Sequence, residues 1–126
     1  MARHNILGQL GEQAARDFLI ARGLTIREQN WRMNKLEIDI VAYEPQTNLL
    51  HIVEVKTRKS DLQFDPMAAV TATKQRNLVN AANAYLRYYQ LKCGIIYDVI
   101  IIVGEPENFK IQYIPDAFVP RLRTYR

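Results

Sequence analysis

Two stretches, Glu37-Ile38-Asp39-Ile40-Val41 and Ile52-Val53-Glu54-Val55-Lys56, decide the reading of this 126-residue chain, because each sets ionisable side chains inside an apolar, β-branched run. Such runs read as strands. Between them Tyr43-Glu44-Pro45-Gln46-Thr47-Asn48-Leu49 carries the Pro, Asn and polar neighbours of a turn, so the pair reads as a hairpin. If residue 43 faces residue 50, Asp39 stands opposite Glu54 and Glu37 opposite Lys56, all four on one face. Ile38, Ile40, Val53 and Val55 then point to the other face, toward a buried layer. Opposed strand residues have Cβ atoms roughly 4.5–5.5 Å apart, within reach of one shared hard cation. Buried carboxylates are costly unless paired or holding an ion, which makes the hairpin a candidate metal site. The plainer alternative is a half-exposed hairpin whose acids and lysine are solvated cross-strand partners.

The rest of the chain limits the chemistry. Apolar residues make up 48% and charged residues 24%, the balance of an ordinary folded domain, and 126 residues suffice for one core. The reading is a single domain over 1–126, with its core at about 6–114 and the segment 115–126 unassigned. Cys93 is the only cysteine, so no intrachain disulfide or Cys-based zinc cluster can form, and His4 and His51 cannot make a multi-histidine site. Carboxylates are the available ligands, which favours Mg²⁺ or Mn²⁺ over zinc. No apolar run approaches a membrane span, and the reading is of a cytoplasmic protein with no membrane partner.

The net charge is +4 although the candidate site is acidic, so positive charge lies elsewhere. Arg27, Arg32, Lys35, Arg58, Lys59, Lys74, Arg76, Arg121, Arg123 and Arg126 are the candidates. A polyanionic partner follows, with solubilising surface charge as the alternative.

Leu7, Leu10, Ala14, Phe18 and Ala21 recur at helical spacing over residues 6–22, with Glu12 on the flank of that stripe, in line with Ala15 and Leu19. Strands are expected at 24–31, 36–43 and 49–57. Asp65-Pro66 starts a short helical turn, and Thr71 caps a helix whose first turn holds Lys74 and Gln75 and which runs until Gly94. Its tyrosines read as core packing rather than a base-stacking platform. Residues 95–103 form a strand buried on both faces, interrupted by Asp98, for which capping or ion pairing is the better reading. A last short strand covers 109–114. The order αβββαββ predicts an α/β fold, a mixed sheet flanked by helices with a parallel crossover.

Gly8-Gln9-Leu10-Gly11-Glu12, Asn30-Trp31-Arg32, Glu37-Ile38-Asp39-Ile40-Val41, Val53-Glu54-Val55-Lys56-Thr57-Arg58, Lys74 and Tyr97-Asp98-Val99 resemble the successive motifs of the YraN family. These small bacterial proteins are regarded as predicted endonucleases of the PD-(D/E)XK superfamily, whose restriction-endonuclease-like core is shared with Holliday-junction resolvases. The resemblance spans residues 8 to about 103. It departs at Leu36, where the family usually has glycine, and at Ile96, where an arginine is common.

The resemblance implies that Asp39 and Glu54 bind Mg²⁺ or Mn²⁺ with the backbone carbonyl of Val55, that Glu12 joins them, and that Lys56 works beside them. Lys74 and Gln75 would hold a phosphate, and Arg58 and Arg32 would contact nucleic acid. The implied activity is metal-dependent phosphodiester hydrolysis in DNA, with branched or junction-like substrates in view. A symmetric dimer would suit a junction cutter. The first alternative is a binding protein that keeps the nuclease fold without cleaving. The second is a double-stranded-RNA-binding domain, whose element order is similar but which does not want acids in mid-strand.

Overall fold

The computed structural model describes residues 3–60 and 65–120. The candidate cations Arg121, Arg123 and Arg126, and the side chain of His4, lie outside the described residues. Along the chain come α1 (Arg3–Ala21), β1 (Thr25–Met33), β2 (Leu36–Glu44), β3 (Leu49–Arg58), a 3-10 turn (Pro66–Ala69), α2 (Ala72–Tyr89), β4 (Gly94–Val103), a second 3-10 turn (Pro106–Asn108) and β5 (Lys110–Ile114). The expected αβββαββ order holds, with boundaries moved by a few residues.

One five-stranded sheet follows chain order, β1-β2-β3-β4-β5. The β1/β2, β2/β3 and β4/β5 pairs are antiparallel, whereas β3 and β4 are parallel, joined through α2. This is a mixed α/β sheet covered on both faces. On one face Leu78, Ala81, Ala82 and Tyr85 of α2 pack with Trp31, Ile38, Val41, Leu50, Ile52 and Ile101. On the other, Ala15 and Leu19 of α1 pack with Ile40, Ala42, Val53, Ile100 and Ile102. Buried on both faces, β4 has the near-continuous apolar sequence expected of a strand with a parallel neighbour.

Helix ends have local causes. Thr71 lies extended before α2 and its Oγ1 accepts the Lys74 N–H at 3.2 Å, the N-cap the sequence indicates. The C-terminus comes earlier than expected: Gln90 takes φ 53, and its N–H returns to the carbonyls of Arg87 and Leu86. That frees Gly94 to open β4. The buried stripe of α1 is Gly11, Ala15 and Leu19, whereas Leu10 is exposed, so the helix is rotated from the expected Leu7–Leu10–Ala14 face. Gly11 explains why. A β-carbon there would collide with Thr57 of β3, so the missing side chain lets α1 approach the sheet closely. Just after β5 two residues are tied back to the sheet: the Ala117 N–H donates to the Tyr97 carbonyl at 2.7 Å, and Phe118 stacks on Tyr97 with ring centroids 4.8 Å apart.

Candidate metal and nucleic-acid site

The hairpin pairs Tyr43 with Leu50, as expected, and holds that register from Glu44↔Leu49 to Ile40↔Val53. There the ladder stops, one pair short of Asp39 and Glu54. In place of a further backbone bond, Asp39 Oδ2 accepts the Val55 N–H at 2.8 Å. The carboxylate is therefore inserted between the two strands, and they part beyond it.

Alternation along β2 also breaks at this point. Ile38 packs on the α2 face and Ile40 on the α1 face, a correction to the expectation that both share one layer. β1 is irregular at the same level. Asn30 has φ 52, a left-handed conformation that resets the side-chain period between Gln29↔Ile40 and Trp31↔Ile38. Asp39 falls inside that interval. Glu37 is not the partner of Lys56 but faces Arg32 on β1, whose Nη2 lies 3.1 Å from Glu37 Oε2. This ion pair within β1/β2 replaces the cross-strand pairing with Lys56.

Three elements converge on the gap. β3 supplies Glu54, buried, and Lys56, exposed, two residues apart and so on the same face as α2. From α2, Lys74 Nζ stands 3.4 Å from Glu54 Oε2. From α1, close approach at Gly11 brings the half-buried Glu12 near Asp39, with Glu12 Oε1 buried and without a hydrogen-bond partner.

The electrostatics record the crowding. Burial, then the Asp39 carboxylate, push Glu54 up to about 8, a rise that Lys74 and Lys56 only partly offset. Asp39 is raised as well, again chiefly by burial, against the Val55 N–H and Lys74. Burial and Asp39 push Glu12 up to about 7, against a hydrogen bond from Asn30. The two facing carboxyls therefore hold a proton more tightly than they would in water. A divalent cation would displace that proton. Among the described residues no three His, Cys, Asp or Glu side chains close into a metal cage. Asp39 and Glu54 are the pair drawn together, with Glu12 outside them. A hard-oxygen set of this size suits Mg²⁺, which keeps several waters and is usually held by one or two carboxylates.

The other sequence candidates take these positions. Gln75 Nε2 donates to the Val70 carbonyl at 3.0 Å, tying the start of α2 to the preceding turn. Arg58 is half-buried at the end of β3, on the parity of Glu54 and Lys56, and its carbonyl accepts the Gly104 N–H at 2.9 Å. Arg32 is exposed at the end of β1. Asp98 is structural, as expected, but its partners were not foreseen. His51 Nδ1 lies 2.6 Å from Asp98 Oδ2 and Nε2 lies 2.8 Å from Glu44 Oε1. The Tyr113 hydroxyl donates to Asp98 Oδ2 at 2.8 Å, and the Asp116 N–H to Asp98 Oδ1 at 3.0 Å. Asn30, which both bonds Glu12 and turns β1, was visible in the sequence only as a neighbour of Trp31. An Asn inside a strand is the signal that points to it.

Known proteins resemble this chain along nearly its whole length. Residues 11–102 match the profile of the uncharacterised protein family UPF0102. A UPF0102 protein of Bacteroides thetaiotaomicron is 44% identical over 97% of this chain and 99% of its own. One from Flavobacterium psychrophilum is 42% identical over 94% and 98%. A solved structure of a protein of unknown function from Silicibacter pomeroyi is a looser likeness, 18% identical with a TM-score of 0.37 over 86% of this chain and 70% of that one. The chain belongs to the UPF0102 family, also called YraN, and carries the PD-(D/E)XK-like fold.

Proposed function

We propose that this UPF0102 protein is a metal-dependent endonuclease that hydrolyses phosphodiester bonds in DNA. The observation that carries the reading is the hairpin's parting at Asp39 and Glu54, two facing carboxyls with an ammonium 3.4 Å from one of them. A fold gains nothing from confining like charges there unless a cation joins them. Asp39, Glu54 and the Val55 carbonyl would hold Mg²⁺ or Mn²⁺, with Glu12 beyond them on the α1 side. When bound, the ion supplies Lewis acidity toward a phosphate oxygen and lowers the pKa of the attacking water.

The protein's own groups do the rest. Lys56, exposed on the Glu54 face, orients the attacking water and offsets charge that develops on phosphorus. A lysine suits this position because its compact charge and rotatable donors can follow the phosphate as its geometry changes. Lys74 balances Glu54 and, at the first turn of α2, adds positive charge where a helix N-terminus already favours an anion. Arg58 lies on the same face for backbone contact. Gln75 supports the turn that presents Lys74.

The test is a panel of labelled linear and branched DNA and RNA incubated with Mg²⁺ or Mn²⁺. Cleavage is expected from the natural protein and is expected to vanish in Asp39→Asn and Glu54→Gln. Equal cleavage by both variants would refute the assignment. Binding of DNA without cleavage by any form would instead identify a protein that keeps the nuclease fold for recognition alone.

A further inference from the structure

A cavity of about 340 Å³ opens beside the carboxylates on the α1 side, lined by Gln9, Glu12, Gln13 and Arg16 of α1 and by Gln29 and Asn30 of β1. Its size is at the lower end of the range for sites that take a small organic group. Its lining is unusual for a surface cleft: four carboxamides and one guanidinium surround a single carboxyl. Gln9, Glu12 or Gln13, and Arg16 follow one another at helical spacing, so α1 presents them as one stripe. The left-handed turn at Asn30 brings Gln29 and Asn30 to meet that stripe.

Each carboxamide places a donor and an acceptor side by side, the pattern that pairs with a nucleobase edge. A hard cation prefers several charged oxygens, and a phosphate several cations; this lining offers one carboxyl and one guanidinium. Arg16 has an i+1 contact with Asp17 at 3.8 Å, with both side chains well exposed, so its guanidinium is free to lie over a flat ring. Glu12 Oε1, buried without a hydrogen-bond partner, is an acceptor at the inner wall.

We propose that this cavity receives an unpaired nucleobase of the DNA strand whose phosphate lies at Asp39 and Glu54. The inference rests on the nuclease reading and names its substrate class: strands with an unpaired nucleotide at the cut, such as flaps, gaps and branch points. In an intact duplex the base is stacked and paired, and extruding it costs free energy that an already unpaired base does not demand.

Side-chain amide resonances in ¹⁵N-correlated NMR spectra test this independently of cleavage. Titration with deoxynucleoside 5′-monophosphates is expected to shift the Gln13, Gln29 and Asn30 amides, and 2-deoxyribose 5-phosphate is not. The double variant Gln13→Ala/Gln29→Ala is expected to weaken nucleotide binding at least tenfold and to remove any preference for flap over duplex in a Ca²⁺ binding assay, while Mn²⁺ affinity is retained. Equal shifts with the base-free sugar phosphate, no amide shifts at saturation, or an unchanged flap preference would overturn the pocket. Those results would leave the metal reading standing, whereas absence of Mn²⁺ binding by the natural protein would strike the metal reading while the amide shifts still decide the pocket.

Discussion

β3 buries two sets of charge three residues apart, at His51 and at Glu54, and resolves them in opposite ways. Around His51 every group has a partner: both ring nitrogens meet carboxylates, and Asp98 gathers bonds from Tyr113 and Asp116 as well. Burial pulls the imidazole down, yet the Asp98 and Glu44 bonds outweigh it and hold its pKa above the ordinary value. Around Glu54 the chain gathers two facing acids that Lys74, at close range, only partly balances, so carboxyls are raised and one oxygen of Glu12 has no partner. A satisfied network fixes structure. An unsatisfied one keeps free energy for a ligand.

The comparison makes its sharpest claim about stability. Asp98→Ala leaves the buried His51 ring and the Tyr113 hydroxyl without their shared acceptor and is expected to cost about 3–5 kcal/mol, as breaking a buried charged pair does. Glu54→Gln relieves repulsion and is expected to stay within about 1 kcal/mol of the natural protein, or to stabilise it. Urea unfolding of both variants decides the matter, and similar losses would erase the distinction.

Gly11→Ala comes next. Its methyl would enter the space of Thr57, and overpacking of this kind costs about 1–3 kcal/mol. Thr57→Ala in the same chain should recover most of that loss, which a double-mutant cycle measures. No recovery would mean that α1 is seated by something other than this contact.

Smaller, and spread over pH, is the effect of titration on the metal-free protein. Glu54, Glu12 and His51 all hold their protons more tightly folded than unfolded, so stability falls as pH rises through the interval between the two values. For Glu54 that interval runs from 4.5 to about 8, and for Glu12 from 4.5 to about 7. The His51 contribution is full below 6.5 and is lost as pH climbs through its raised folded value. Urea midpoints should fall less steeply between pH 4.5 and about 8 in Glu54→Gln, which keeps the Glu12 and His51 contributions. His51→Gln should keep the slope below 6.5 and flatten it only above that value. Identical profiles in both variants would show that the two clusters titrate as one.

How far the sequence revealed this depended on whether a feature was local. Element order, the turn at Pro45–Asn48, the Thr71 cap and the strand that became β4 were readable because each rests on neighbouring residues. The hairpin register was readable as far as Ile40 and Val53. Its end was not, because the break sits opposite the irregular Asn30 of β1, in a different strand. Glu12 was placed on the flank of its helix by spacing, but its approach to Asp39 needs Gly11 to meet Thr57, a contact no local pattern displays. The His51 network joins β2, β3, β4 and β5 and could not be seen until the sheet order was known. Long-range partners, rather than propensities, separated the legible part from the rest.

Calorimetric titration of the protein with Mn²⁺ at pH 6 and pH 8, in buffers of different ionisation enthalpy, bears most directly on the central claim that Asp39 and Glu54 share a cation. The account predicts saturable binding that is tighter at pH 8, releases protons at pH 6, and is lost in Asp39→Asn. Binding that is absent, or that persists unchanged in Asp39→Asn, would contradict it.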